Sequence, residues 1–533
     1  MKDDKKISEL TQVIITLTAK IDELLAKISE KDALIEYYEQ QLLLSKRRQF
    51  GVSSEKTVIN EEESQQLVTP LMEATETNES ETTEEVEEIS YRRKKRKGKR
   101  EEDLSGLPVE RVDHEIPEEE RACPECGKTM RDIGVNVRRE LKIVPAQVVV
   151  VEHATHAYVC DECDDTKEKA VIIKAEAPKS LIGRSLASPS LVAYIALQKY
   201  VFGMPLYRIE KGFKYDDVIV TRQTMANWVI MCVERYLYAM YTLMIRYLLE
   251  ESSLHADETT VQVLHEPKRD AKTRSYEWVY RTSGYAKHPV VIYDYKETRH
   301  QEHPVKFLKY FKGYLHTDGY QAYHNLPPDI TIVGCWAHAR RPWENMLKAI
   351  PENKRKGSDA ETGVLYMKRL FDLERVFKEL TPEERYQQRL KKSKPIADAF
   401  FKWAESLQPL PKSLLGKAVN YALAQRQYLE NVFLDGRLEL SNNRCERSVK
   451  PFVMGRKAWL FCNTPSGAIA SSVMYSIAET AKENGLHPFH YVKYLLESLP
   501  NATTKDIEAF LPWSDSLPDY CYAPKRPPNQ SDE

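Results

Sequence analysis

"SLHADETTVQVL", residues 253–264, is rich in Thr and Val and reads as a β-strand, yet Asp257 stands inside it. A carboxylate in an otherwise apolar sheet is costly unless something binds it. Four more strand candidates follow: "SYEWVYRT" (275–282), "HPVVIYDY" (288–295), "KGYLHTDGYQAY" (312–323) and "ITIVGCWAHARR" (330–341), with a helical stretch over about 298–310 before the fourth. Asp318 falls at the end of the fourth. A single such Asp is more often a turn or capping residue. Two, from non-adjacent strands, point to convergence on a metal ion.

A third acid stands further on, in "ELSNNRCERSVKP", residues 439–451, where Glu446 lies between Arg444 and Arg447. A local reading makes Asn443 an N-cap and Glu446 the N3 acid of a capping-box-like helix start, with Lys450 pairing to it at i+4. The other reading makes Glu446 a partner of the two aspartates. The intervals are then 61 residues from Asp257 to Asp318 and 128 from Asp318 to Glu446, so the second must hold an insertion. Residues 342–430 have the composition for one, in "GVLYMKRLFDLERVFKEL", "KPIADAFFKWAESL" and "LGKAVNYALAQRQYLENVFL", all helical in pattern.

The rest of the chain is modular. At 533 residues it can hold several domains and a substantial core. Ile7, Ile14, Ile21, Ile28, Ile35 and Leu42 recur every seven residues, with Leu10, Leu17 and Leu24 between them, which predicts a parallel two-stranded coiled coil; a helix packed on its own domain is the alternative. Residues 61–90 carry eleven Glu and no Lys or Arg, so the remainder of the chain is at +9 against an overall −2. This run predicts a disordered linker. "YRRKKRKGKR" (91–100) follows, either an arm for phosphates or a solvated tail. Cys123 and Cys126 in "CPECG", with Cys160 and Cys163 in "CDEC", can give the four thiolates of a closed structural zinc site. The β-branched segment between them suits ribbon strands. "PLYRIEKGF" and "TRQTMANWVIMCVERYL" predict two helices around a loop with Asp216 and Asp217, Thr221 capping the second and Arg222 and Gln223 exposed in its first turn. That is either a helix-turn-helix or an ordinary helical hairpin. "MKDDKK" leads straight into the heptads rather than an apolar signal region. Trp228–Leu249, interrupted by Glu234, Arg235 and Arg246, reads as a buried or amphipathic helix, since a span wants about 20 predominantly apolar residues. Paired C-x-x-C units fit a reducing compartment. These features predict a cytoplasmic protein with no membrane partner.

Several stretches together resemble the transposase of the insertion-sequence-66 family: "HADETTVQVL", "TDGYQAYH", "GCWAHARR", "LGKAVNYALAQ", "LSNNRCERSVKP", "GRKAWLF" and "YSIAETAKENGLHPFHYV". The likeness extends to the heptads, "RRQFGVSSEK" and the two C-x-x-C pairs; Pro342 and Cys445 depart from it. The resemblance implies a D-D-E transposase with a ribonuclease-H-like catalytic domain and Asp257, Asp318 and Glu446 as the acids. Two Mg²⁺ or Mn²⁺ ions about 3.5–4 Å apart would stabilise the attacking and leaving oxygens of a phosphodiester exchange. Oxygen ligands suit these ions, and zinc would be structural.

The domains expected are a coiled coil (1–50), an acidic then basic linker (51–100), a zinc domain (101–180), a helical DNA-binding region (181–250), a catalytic domain (251–341 and 431–465) interrupted by the insertion (342–430), and a C-terminal helical segment and tail (466–533). Arg222, Gln223, Arg340, Arg341, Arg444, Arg447, Lys450, Arg456 and Lys457 are the residues expected on DNA. His338 would orient DNA or a carboxylate, or serve the structure alone. Glu258 is expected on the opposite strand face from Asp257, since side chains alternate. The partners implied are inverted-repeat element ends, target DNA and a second copy through the coiled coil, in a bacterial nucleoid; small accessory proteins of the same element are also admitted. A dimeric DNA-binding regulator and a nuclease that cuts without joining remain the alternatives.

Overall fold

The computed structural model describes residues 147–159, 172–176, 179–502 and 506–524, and the isolated positions 17, 20, 21, 27 and 31. The acidic and basic linker, Cys123, Cys126, Cys160, Cys163 and nearly all of the heptad repeat lie outside the described residues. The chain divides into a unit of residues Thr75–Val151, described only over 147–151, and a unit holding the remainder. Two short strands of the larger unit, β1 (Ala157–Val159) and β2 (Ile172–Lys174), pair antiparallel.

Helices come next. In α1 (Pro189–Ala196) Ser188 is the N-cap, its hydroxyl accepting the Leu191 N–H at 3.2 Å. α2 (Leu206–Tyr215) and α3 (Arg222–Cys232) follow, the latter capped by Thr221, whose hydroxyl accepts from the Thr224 N–H. Arg222 and Gln223 are exposed in its first turn. A π-helical turn at Val233–Leu237 leads into α4 (Tyr238–Leu249), which buries Met240, Tyr241, Met244 and Leu248. Among the described residues no helix is long and apolar enough to cross a membrane.

Five strands then build one mixed sheet: β3 (Ser253–Gln262), β4 (Arg274–Thr282), β5 (Val291–Lys296), β6 (Gly313–Thr317) and β7 (Ile330–Gly334). Their spatial order is β5-β4-β3-β6-β7. The first three form an antiparallel meander, and β6 and β7 run parallel to β3. Parallel entry of β6 requires a crossover, supplied by the segment with α5 (Glu302–Phe307), where Phe307 stacks on Tyr280 of β4. "CWAHARR" departs from the strand reading: β7 ends at Gly334, Cys335 takes the cap position, and α6 (Trp336–Ala349) carries the motif. Pro342 sits inside that helix and removes the N–H that would have bonded to the carbonyl of His338.

Between β7 and the segment of Glu446 stand α6, α7 (Asp359–Val376), α8 (Pro382–Gln388), α9 (Lys394–Ser406) and α10 (Leu414–Leu429). They gather a hydrophobic core of their own around Trp336, Trp343, Phe400 and Phe401. The chain then returns to the sheet as α11 (Asn443–Trp459), followed by α12 (Pro465–Glu483) and α13 (Pro488–Ser498).

β5 is an edge strand, and its exposed N–H row would be a liability. α12 closes it chemically: the Thr480 hydroxyl accepts the Val291 N–H at 3.0 Å and Ser476 accepts the Tyr293 N–H at 2.8 Å. Both hydroxyls are fully buried and four residues apart, so they sit on one helix face. Ser476→Ala leaves the Tyr293 N–H unpaired away from water and is predicted to lower unfolding free energy by about 1–3 kcal/mol in denaturant titration. An unchanged midpoint would show that the helix does not seal this edge.

Candidate active site

Strand register brings two of the acids together. The parallel pairing of β3 with β6 runs Ser253↔Tyr314, Leu254↔Leu315, His255↔His316, and stops there. Asp257 and Asp318 are each two residues beyond that last pair, so they stand at one level and on one face, Asp257 still within β3 and paired with Val279 of β4, Asp318 just past the end of β6. Asp257 Oδ1 accepts the Glu258 N–H at 2.8 Å, and Asp318 Oδ1 accepts the Tyr320 N–H at 2.9 Å. Burial is the main reason that the Asp257 carboxyl is pushed up from 3.8 to about 8, and the negative charges of Glu258, Asp318 and Glu446 add to it. That all three charges act on Asp257 places Asp318 and Glu446 in its neighbourhood.

Glu446 lies in the first turn of α11, but its carboxylate is engaged. Arg341 Nη2 donates to both oxygens, at 3.0 and 3.1 Å, and His338 Nδ1 is 3.5 Å from one of them. Arg341 Nη1 also bonds to His338 Nε2 at 2.8 Å. Among the described residues no group of three or more His, Cys, Asp or Glu side chains is gathered closely enough to hold a metal ion. The placement of Glu446 supplies a reason, since it faces Arg341. The insertion reaches the site as well. A methyl group added at Gly319 would lie 2.7 Å from the Tyr421 hydroxyl and 3.1 Å from Gln425 Cδ, so α10 packs directly over the residue after Asp318. Burial and then the Asp318 charge hold the Tyr421 phenol above its ordinary range.

Beneath the acids is a buried polar cluster that pattern reading did not single out. The rings of His255 and His316 stack at 4.2 Å with 13° between their planes. His316 Nε2 accepts the Glu439 N–H at 2.9 Å, so its proton is on Nδ1, facing the Leu254 carbonyl at 3.3 Å. Burial first, and the adjacent His255 second, keep His316 neutral, well below the usual histidine range. Asn442 corrects the capping assignment: it, not Asn443, occupies the N-cap position of α11, and its side chain makes no capping bond. The amide is spent on β3, with Nδ2 donating to the Ala256 carbonyl at 2.8 Å and Oδ1 lying 2.9 Å from His255 Nδ1. The available signal was the repeat of His-x-Asp in "HAD" and "HTD", which puts a histidine on the same face two residues before each aspartate.

The cations divide into two groups. Arg447, Lys450 and Lys457 are exposed along one side of α11, at helical spacing from Glu446 onward. Arg340 pairs with Glu344 at 2.8 Å, Arg444 with Glu439 at 2.5 Å, and Arg456 donates to the hydroxyls of Thr259 and Thr260. These three, with Arg341, are structural partners in this conformation rather than open phosphate contacts. Glu258 is a buried ion-pair partner, bonded to Arg299 and accepting from Tyr323 at 2.7 Å.

The fold is a mixed α/β sheet with a large helical region after β7, and the sequence comparisons assign its family. The family described as "Transposase IS66 family" matches residues 184–470, over half of the chain. "Zinc-finger binding domain of transposase IS66" matches residues 120–164, "IS66 C-terminal element" 476–513, and "Transposase C of IS166 homeodomain" 37–112. The chain belongs to the IS66 transposase family. Its zinc-finger match spans all four knuckle cysteines and implies zinc, and DNA is the partner that a transposase implies. Among similar proteins, "Uncharacterized protein y4qI" of Sinorhizobium fredii (strain NBRC 101917 / NGR234) is 29% identical over 89% of this chain and 88% of its own. Proteins y4hP and y4jD of the same strain are each 27% identical, over 73% and 76% of this chain and 73% and 80% of theirs.

The raised Asp257 carboxyl has a stability consequence. Between its ordinary value and about 8, the folded protein holds a proton that the unfolded chain has released, so this group lowers folding stability as pH rises through that window. Asp257→Asn has no such group and is predicted to be more stable than wild type in metal-free buffer. The gain should be absent near about pH 4 and reach up to a few kcal/mol near about pH 8, reduced by solvent screening because the residue is only partly buried. Thermal melts in chelator at both pH values measure it; a loss of stability at the upper pH would contradict the electrostatic assignment.

Proposed function

We propose that the chain cuts DNA strands at the ends of its insertion sequence and joins the freed 3′-hydroxyl to target DNA, with Asp257, Asp318 and Glu446 holding Mg²⁺ or Mn²⁺. The observation that carries this reading is the strand register that brings Asp257 and Asp318 to one level on one face, with Glu446 in the first turn of the helix that returns to the sheet and with the Asp318 and Glu446 charges both raising the Asp257 carboxyl. The strand order β5-β4-β3-β6-β7, antiparallel on one side of β3 and parallel on the other, supports a ribonuclease-H-like fold. The donors fit a hard divalent ion: they are oxygens only, and their negative charges raise the half-buried Asp257 carboxyl, a repulsion that a cation would offset. When bound, such ions polarise the scissile phosphate and stabilise the attacking and leaving oxygens. Glu446 joins that set by sharing or leaving Arg341. Arg447, Lys450 and Lys457 then hold the DNA backbone along α11 without reading bases. Tyr421 and Gln425, packed on Gly319, fix the turn that carries Asp318. Cys123, Cys126, Cys160 and Cys163 hold one structural zinc, and the heptad repeat joins two copies.

The test is nicking and joining of labelled element ends by full-length protein. Asp257→Asn, Asp318→Asn and Glu446→Gln should each fall below about one per cent of wild type, because several kcal/mol of lost charge stabilisation exceeds a hundredfold in rate. Each should still bind the DNA ends, which rests on other cations. Chelator should abolish both reactions, and Mg²⁺ should restore them. Metal analysis of the same preparations should find one zinc per chain. Full activity of Glu446→Gln would return that residue to a helix-start role, and nicking without joining would reduce the reading to a nuclease.

A further inference from the structure

Three features sit just ahead of the three acids in sequence. His255 precedes Asp257 by two residues, His316 precedes Asp318 by two, and Asn442 precedes Glu446 by four. All three are essentially fully buried. Burying so many polar groups is unfavourable unless their hydrogen bonds are made, and here nearly all point at one another or at the backbone carrying the acids.

Asn442 is the hub. Its Nδ2 donates to the Ala256 carbonyl, the residue before Asp257, at 2.8 Å. That fixes the amide orientation, so Oδ1 is the acceptor for His255 Nδ1–H at 2.9 Å. Its own N–H donates to Cys335 Sγ, just beyond β7, at 3.1 Å. Its carbonyl accepts the N–H of Glu446 at 3.1 Å. One residue therefore connects β3, the end of β7 and the turn of α11 that bears the third acid. His255 carries the connection sideways by stacking on His316. His316 in turn receives the Glu439 N–H, and the Glu439 carboxylate takes Arg444 Nε at 2.5 Å and the Gly284 N–H at 3.2 Å while lying 3.6 Å from His255 Nε2. Further along, α11 is anchored separately, by Arg281 Nη1 donating to Ser448 Oγ at 2.7 Å. Asn442 thus governs the start of the helix, where Glu446 is, while Ser448 holds its middle.

We infer that Asn442, with His255, is a positioning residue that fixes the start of α11, from which Glu446, on leaving Arg341, joins Asp257 and Asp318 at a shared ion. Helix capping cannot be its purpose, because its side chain makes no capping bond. The inference rests on the proposed metal role of the three acids. Asn442→Asp keeps Oδ1 for His255 but replaces the donor toward Ala256 with an oxygen, so two acceptors face each other and the start of α11 must shift. Partners of this kind typically change metal affinity by about 10–100-fold.

The experiment is calorimetric titration of Mn²⁺ into full-length, zinc-loaded protein, with thermal melts and binding to a DNA duplex as controls. Asn442→Asp is expected to bind Mn²⁺ about 10–100-fold more weakly than wild type while retaining DNA binding. His255→Ala should match it, and His255→Asn, which restores a donor near the Nδ1 position, should recover part of the affinity; a purely structural role would not follow that donor. Should Asn442→Asp fail to fold, the His255 pair decides alone. Wild-type Mn²⁺ affinity in folded Asn442→Asp or in His255→Ala, while Asp257→Asn is weakened, overturns the positioning role and leaves the metal reading standing. Undiminished Mn²⁺ binding by Asp257→Asn overturns both.

Discussion

The site depends on how far two parallel strands stay paired. β3 and β6 keep register through His255↔His316 and then part, so that Asp257 and Asp318 stand at one level where the pairing of these two strands has ended, with β4 still holding β3. In-register pairing is a stringent constraint, because a slip of one residue would turn each aspartate to the other face. The meander of β3, β4 and β5 fixes one flank of β3, and α12 seals the outer edge with two hydroxyls. Much of the larger unit can be understood as support for that one pair of carboxylates.

Charge crowding follows from the same geometry. Burial and three nearby carboxylates push Asp257 up to about 8, a strain that a folded protein keeps only where something offsets it. Arg341 offsets part of it by holding both oxygens of Glu446. In the structure the cation beside the third acid is a protein one, Arg341.

Much of this was legible in the residues. The five strands and the helical stretches after β7 follow from periodicity, and Thr221 caps α3 as its position implied. What escaped did so for physical reasons. "ITIVGCWAHARR" is apolar enough that strand and helix are hard to separate, and the one punctuating residue at the switch, Gly334, is equally at home inside a strand reading. Charge pattern also did not show the partners of Arg341, Arg444 and Arg456, because it cannot distinguish a cation facing solvent from one folded back onto a carboxylate or hydroxyl. The shift from Asn443 to Asn442 is a single residue, yet it moves the amide from an exposed cap to the interior. Buried stacked histidines have no sequence signature beyond the doubled His-x-Asp.

The central claim is that Asp257, Asp318 and Glu446 hold a divalent ion in common, and the most direct measurement replaces that ion with Fe²⁺. Under ascorbate and peroxide, bound Fe²⁺ generates hydroxyl radicals that cut the polypeptide only nearby, and mass spectrometry of full-length protein bound to DNA ends locates the cuts. The account predicts cleavage clustered at three separate places in the chain, around residues 257, 318 and 446, all suppressed together by excess Mg²⁺. Cuts confined to other segments, or a set at 257 and 318 that never includes 446, would contradict it.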